Sequence, residues 1–162
     1  MASQEFKINN IYRIDPKYLA GIMDSDGSFS ISKHNIKRKK CSYTTMIQLT
    51  WSYNEKTKLF MDSMVSQYGG SYFIGFPSGK AQFPNTGEII KYCAIGVACE
   101  KISKDVVEFL LLKNKQCENI LSARDIVKSF RGLARSVENE ELLERLFLDN
   151  KALNTKNGSK NK

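Results

Sequence analysis

The chain is short of the residues that build metal clusters, disulfide scaffolds and membrane spans. It has a single histidine, His34, and four cysteines, Cys41, Cys93, Cys99 and Cys117, no two of them at CxxC spacing. A structural zinc site needs closely spaced nitrogen and sulfur ligands, so this pattern excludes one. Nothing marks secretion, and the thiols read as free groups in a reducing compartment. No apolar run approaches the roughly 20 residues that cross a bilayer. The opening segment MASQEFKINN lacks the apolar core of a signal peptide, so the expectation is an intracellular protein with no membrane partner. Acidic residues are also in deficit: 17 Asp and Glu face 25 Lys and Arg, for a formal charge of +8. That imbalance points to a polyanion, nucleic acid ahead of an anionic membrane surface. Lys outnumbers Arg 19 to 6 and Asn occurs 12 times. These residues have A/T-rich codons, a weak pointer to a chloroplast or mitochondrial genome.

What is present is ordinary in bulk and unusual in one place. At 162 residues and 41% hydrophobic content, the chain can bury the core of one domain. The stretch Tyr18 to Phe29, YLAGIMDSDGSF, is the unusual place. Asp15 can cap a helix there and Pro16 suits its first position. Gly21 and Ser25 lie one turn apart on it, with Ala20 beside them. The helix is expected to stop at Gly27 in the left-handed C′ position. Asp24 and Asp26 then fall in its last turn, where the helix dipole is already negative. A cation is expected to offset them, and a hard divalent metal is the natural candidate. An EF-hand register fails, because it would put Ile22 at the first ligand position and Lys33 at the twelfth, where Glu is required.

Beyond Gly27 the period changes from helical to alternating. Ser28 to Ser32 reads as a strand, KHNIKRKK (33–40) as a basic hairpin tip, and Ser42 to Tyr53 as the returning strand. In that strand Ile47, Leu49, Trp51 and Tyr53 share one face, and Met46, Gln48, Thr50 and Ser52 the other. Asn54 can cap a helix over Glu55–Tyr68, ended by Gly69-Gly70. A second hairpin spans about Ser71 to Ala98. Ser103 can cap a third helix through Leu112, a fourth runs from Lys115 to Phe130, and a last one from Val137 to Asp149. Residues 1–150 form the expected domain and 151–162 a disordered basic tail. The predicted class is α+β, with an antiparallel sheet covered by helices on one face. A two-stranded ribbon fits the DNA major groove, and its polar face would carry Ser30, Ser32, His34, Gln48, Thr50 and Ser52. Lys37, Arg38, Lys39 and Lys40 would meet phosphates.

LAGIMDSDG resembles the nine-residue motif of LAGLIDADG homing endonucleases, with identity at Leu19, Ala20, Gly21, Ile22, Asp24, Asp26 and Gly27. Met23 and Ser25 replace residues of similar character. The element order is similar to the αββαββα core of single-motif members, with its saddle-like DNA-binding sheet, and the motif occurs once. The resemblance implies a homodimer packed through Ala20, Gly21, Asp24 and Ser25 on double-stranded DNA. It implies Mg²⁺ at Asp26 and the Ser25 carbonyl, with Mn²⁺ or Ca²⁺ able to substitute for binding. It further implies catalytic helpers at Lys113 (or Lys115) and at Glu55, where the family often has Gln. The implied reaction is phosphodiester hydrolysis at a long pseudo-palindromic site, with cuts staggered across the minor groove to leave 3′ overhangs. The alternatives are an RNA maturase that assists splicing of an intron RNA and a DNA-binding regulator that does not cleave.

Overall fold

A computed structural model of the chain describes residues 11–34, 41–77, 87–130 and 134–158, with side chains as far as 155. Helix α1 (Pro16–Ser25) starts as its cap residues dictate. The Asp15 carboxylate accepts from the amides of Lys17 and Tyr18, and Pro16 occupies the first turn, where no donor is needed. Leu19, Ala20 and Met23 are its buried face. The helix ends at Asp26, whose φ of −112° is right-handed. Gly27 does not take the left-handed position expected of it, its φ lying outside the positive range. A Cβ at Gly27 would lie 2.6 Å from the Met23 Sδ and 2.7 Å from the Met23 Cα. The glycine is needed because the chain leaves the helix directly against the Met23 backbone.

Strands β1 (Gly27–His34) and β2 (Ser42–Ser52) form the first hairpin, with Ser28 opposite Gln48 and Phe29 opposite Ile47. Helix α2 (Glu55–Tyr68) opens with Asn54 and Thr57 capping each other and closes at Gly69 and Gly70, with φ of 85° and 83°. Strands β3 (Ser71–Gly75) and β4 (Ile89–Ile95) complete an antiparallel sheet in the order β1-β2-β4-β3. Helices α3 (Val97–Val106), α4 (Asn114–Ser129) and α5 (Val137–Gly158) follow. The architecture is α+β, with the expected αββαββα order followed by two more helices.

Two boundaries differ from the sequence reading. Helix α3 starts at Val97, and Ser103 is a buried residue within it. Gly96, with φ of 61°, lets β4 turn directly into the helix, so no side-chain cap announces the start. Helix α5 continues to Gly158, through most of the segment expected to be a disordered tail. Its anchor is tertiary: Asn150 and Asn154, one turn apart, both donate to the Phe29 carbonyl at 3.0 Å. Strand β1 is at the sheet edge. The two amides satisfy an outward carbonyl there and cover an edge that would otherwise invite pairing.

The inner sheet face carries Phe29, Ile31, Ile47, Leu49, Ile90, Tyr92 and Ala94, all buried in one core cluster with residues of all five helices. Burying such side chains is worth about 1.5–3 kcal/mol each. The opposite face is exposed or half-buried in the described residues, which leaves an open platform with α1 leading directly into it. Among the described residues no helix is long and apolar enough to cross a membrane. Gly27→Ala is expected to cost about 1–3 kcal/mol by overpacking against Met23. Gly27→Asn should cost at least as much. A left-handed glycine would instead tolerate Asn, so the two melting temperatures decide between the explanations.

Candidate functional site

The end of α1 gathers more negative charge than a helix terminus ordinarily tolerates. Asp24 and Asp26 project from its last turn, and the carbonyls of Met23, Ser25 and Gly27 converge beside them. The cation that meets them is Lys113. Its Nζ donates to the Gly27 carbonyl at 2.6 Å, to Met23 at 3.0 Å and, more weakly, to Ser25 at 3.4 Å. Burial pushes the Lys113 ammonium below its ordinary pKa, while the charges of Asp24 and Asp26 pull it back up. Lys115 points elsewhere and pairs with Glu118 at 3.1 Å.

The two acids have separate tasks. Asp24 accepts from three consecutive amides: Leu111 at 2.7 Å, Leu112 at 3.1 Å and Lys113 at 2.9 Å. It is a cap for the α3–α4 connection, and it sets Lys113 in place. Asp26 is exposed, and its Oδ2 accepts from the Trp51 Nε1 at 2.8 Å. That bond was not anticipated from the sequence, where Trp51 read as a core residue. Its signal was the indole N–H, which seeks an acceptor wherever the ring is placed. Glu55 stands at the first turn of α2 and accepts from the Tyr53 hydroxyl at 3.0 Å, which raises the pKa of that phenol. No hydrogen bond joins Glu55 to Asp26 among the described residues.

The α1 surface is divided as well. Gly21 is exposed, with open space where a Cβ would project, and Ser25 is exposed one turn on. Ala20, expected on the same contact surface, is fully buried in its own chain. It sits about 100° round the helix from Gly21 and belongs to the core stripe. Apolar side chains flank the open stripe: Tyr18 is 61% exposed, Leu111 88% and Leu112 74%. Asp24 holds the backbone of both leucines against α1.

The outer face of the sheet follows from register. Ser28, Gln48, Cys93 and Ser71 form one row across the four strands, Thr50, Lys91 and Phe73 another, and Ser30, Met46 and Ile95 a third. Ser32 pairs with Thr44, and His34 with Ser42, at the far end of the first hairpin. Ser30, Ser32, His34, Gln48, Thr50 and Ser52 thus lie together on one surface. Lys37, Arg38, Lys39 and Lys40 lie outside the described residues. Lys91, Cys93, Ser71 and Phe73 join the face from β3 and β4. The alternation in IIKYCAI already separated Lys91 and Cys93 from Ile90, Tyr92 and Ala94.

The donors around Asp26 are all oxygens, a carboxylate and backbone carbonyls, which suits a hard cation such as Mg²⁺ or Ca²⁺. Among the described residues no group of three or more His, Cys, Asp or Glu could hold a metal ion. Among the described residues, Asp26 and the Ser25 carbonyl, the latter shared with Lys113, are the oxygens offered at that point.

No protein-family model matches the chain, and no curated protein matches it either. Solved structures do match its fold. A crystal structure of the homing endonuclease I-CvuI in complex with a DNA target in the presence of Mg has a TM-score of 0.57 at 14% identity, covering 88% of this chain and 94% of that one. An archaeal intron-encoded homing endonuclease, I-Vdi141I, complexed with DNA gives 0.62 at 15% identity, over 85% of this chain and 82% of that one. The meganuclease I-SmaMI bound to uncleavable DNA gives 0.62 at 22% identity, over 86% of this chain but 45% of that one. The chain therefore has the homing-endonuclease fold. It spans most of the first two proteins and about half of the third.

Exchanging each acid for its amide separates their tasks. Asp24→Asn places an NH₂ against backbone donors and is expected to lower stability by about 1.5–3 kcal/mol, the range for hydrogen bonds to a charged group. Faster amide exchange at 111–113 should accompany it. Asp26→Asn keeps an acceptor for Trp51 and should melt close to wild type.

Proposed function

We propose that the chain is a site-specific DNA endonuclease of the homing type, working as a homodimer with Mg²⁺. The observation that carries this reading is the position of Asp26. It is an exposed carboxylate at the point where α1, with its open small-residue stripe, passes into a sheet whose outer face is mostly polar and open. A second copy packed along Gly21 and Ser25 would bury Tyr18, Leu111 and Leu112 and bring two Asp26 carboxylates together. Chains of single length on this fold, beside one of double length, support that arrangement.

In the proposed complex, the sheet lies in the major groove, with Gln48, Thr50 and the flanking serines at base edges. Lys91 and the basic residues 37–40 meet phosphates. Asp26 and the Ser25 carbonyl would hold Mg²⁺, which when bound supplies Lewis-acid polarisation of the phosphate and a water of lowered pKa. Lys113 stands beside them and offsets charge that develops on the phosphate. Two sites related by a two-fold axis cut one strand each and match a pseudo-palindromic target, with staggered 3′ ends. Glu55 is placed to orient solvent only if its contact with Tyr53 opens in the complex.

The test is selection of cleaved molecules from a randomised DNA library with Mg²⁺ present. Wild type should cut one long site. Asp26→Asn should bind that site with similar affinity and cut it at least about a hundredfold more slowly, as when one charge-stabilising group is lost. Sedimentation should report a dimer, and Gly21→Phe should yield a folded monomer. Tight binding without cleavage of any sequence would leave a DNA-binding regulator, and selective binding of intron RNA a maturase.

A further inference from the structure

An exposed carboxylate at a helix end samples several rotamers unless something fixes it, because its terminal torsion is broad. In this chain the Trp51 indole fixes Asp26, with Nε1 donating to Oδ2 at 2.8 Å. The ring has little freedom of its own. It packs on Phe60 with centroids 5.0 Å apart at 52°, and Tyr18 of α1 meets Phe60 edge-on at 6.4 Å and 73°. Phe60 is only 4% exposed. Strand register places the donor: β1 begins with Gly27 opposite Leu49, so the residue before Gly27 lies level with the end of β2, where Trp51 sits. An unbroken line of rigid contacts thus runs from the core of α2 through an aromatic ring to one oxygen of Asp26.

We propose that Trp51 is a positioning residue for the Asp26 carboxylate. Its N–H occupies Oδ2, fixes the plane of the group and leaves Oδ1 as the oxygen presented to a divalent cation. An outer hydrogen bond of this kind typically changes metal affinity or activity by 10–100-fold when removed. The inference rests on the nuclease reading only in assigning the metal to Asp26. An indole can donate but cannot accept or ionise, so Trp51 can serve the carboxylate only as a donor.

Trp51 is the only tryptophan in the chain, so replacing tryptophan globally changes this one residue. Benzothienylalanine keeps the shape of the ring and puts sulfur in place of the N–H. Trp51→Phe keeps packing against Phe60 and is the genetic counterpart. Terbium(III), a hard oxygen-seeking ion, serves as the metal probe. Excited where tryptophan alone absorbs, wild type should give sensitised terbium emission, and Asp26→Asn should lose it. Calorimetry should show terbium bound about tenfold to a hundredfold more weakly by the benzothienylalanine protein. Half-saturating Mg²⁺ for cleavage should rise by the same factor. Metal-free DNA affinity and melting temperature should not change. Unchanged terbium affinity in the benzothienylalanine protein overturns the positioning role, whatever the cleavage result. If wild type cuts no DNA, the nuclease reading fails by itself, and the terbium titrations still decide what Trp51 does for Asp26.

Discussion

Three carbonyls and two carboxylates meet where α1 ends, and a half-buried ammonium, that of Lys113, answers them. The remaining order follows from that imbalance. A half-buried lysine needs acceptors for the water it gives up, and the helix end supplies them. Those acceptors are oriented only if the connection carrying Lys113 is held, and Asp24 holds it through three amides. One acid is therefore consumed in placing the cation that the helix end requires. The other, Asp26, is left at the surface with a single indole bond. Two like charges two residues apart end up with opposite fates because backbone donors reach only one of them.

The same junction links the two halves of the molecule. α1 passes through Gly27 into β1 without a loop, so the direction of the helix fixes the position of the sheet. The sheet has one apolar and one polar face, so register allows one arrangement of both. β1 is an edge strand, and an uncovered edge would be a weak border for a binding surface. α5 closes it with Asn150 and Asn154 and with Glu144, which accepts from Lys33 and Tyr43. Those bonds hold the Glu144 carboxyl below its ordinary pKa. The platform is thereby stiffened from beneath and from the side, while its outer face stays open.

Local signals carried much of this and stopped where tertiary contacts took over. Asp15 with Pro16, and Asn54 with Thr57, are caps within a few residues of the helices they start, so α1 and α2 were legible in the sequence. α3 was misplaced because its start is a glycine with positive φ, and a serine inside the helix looked like a better cap. α5 was cut short because its last turns are polar, and their anchor is a carbonyl more than 100 residues away. In the site, the motif marked Asp26, and the wider family resemblance named Lys113 with Lys115 as its alternative. The bond from Trp51 depended on strand register, which no spacing rule displays. Ala20 and Gly21 were both small and adjacent, and only packing could show that one faces the core.

A carboxylate left exposed at the negative end of a helix is a standing cost, small for one chain in water and larger when another is brought beside it. Stability alone would favour an amide or a lysine at position 26. The surroundings do not remove that cost; they contain it. Lys113 hydrogen-bonds the carbonyls and acts on the Asp26 carboxylate only through its charge, and Trp51 orients the carboxylate without cancelling its charge. Open space at Gly21, and exposed leucines bolted down by Asp24, leave room for a second chain to approach. Charge only partly offset and held rigidly at a surface, beside apolar groups that water does not favour, is an arrangement that gains most when a cation and a partner arrive together. In the proposed dimer this couples assembly, metal and DNA phosphate in a single equilibrium, and one rigid helix end is enough to impose it.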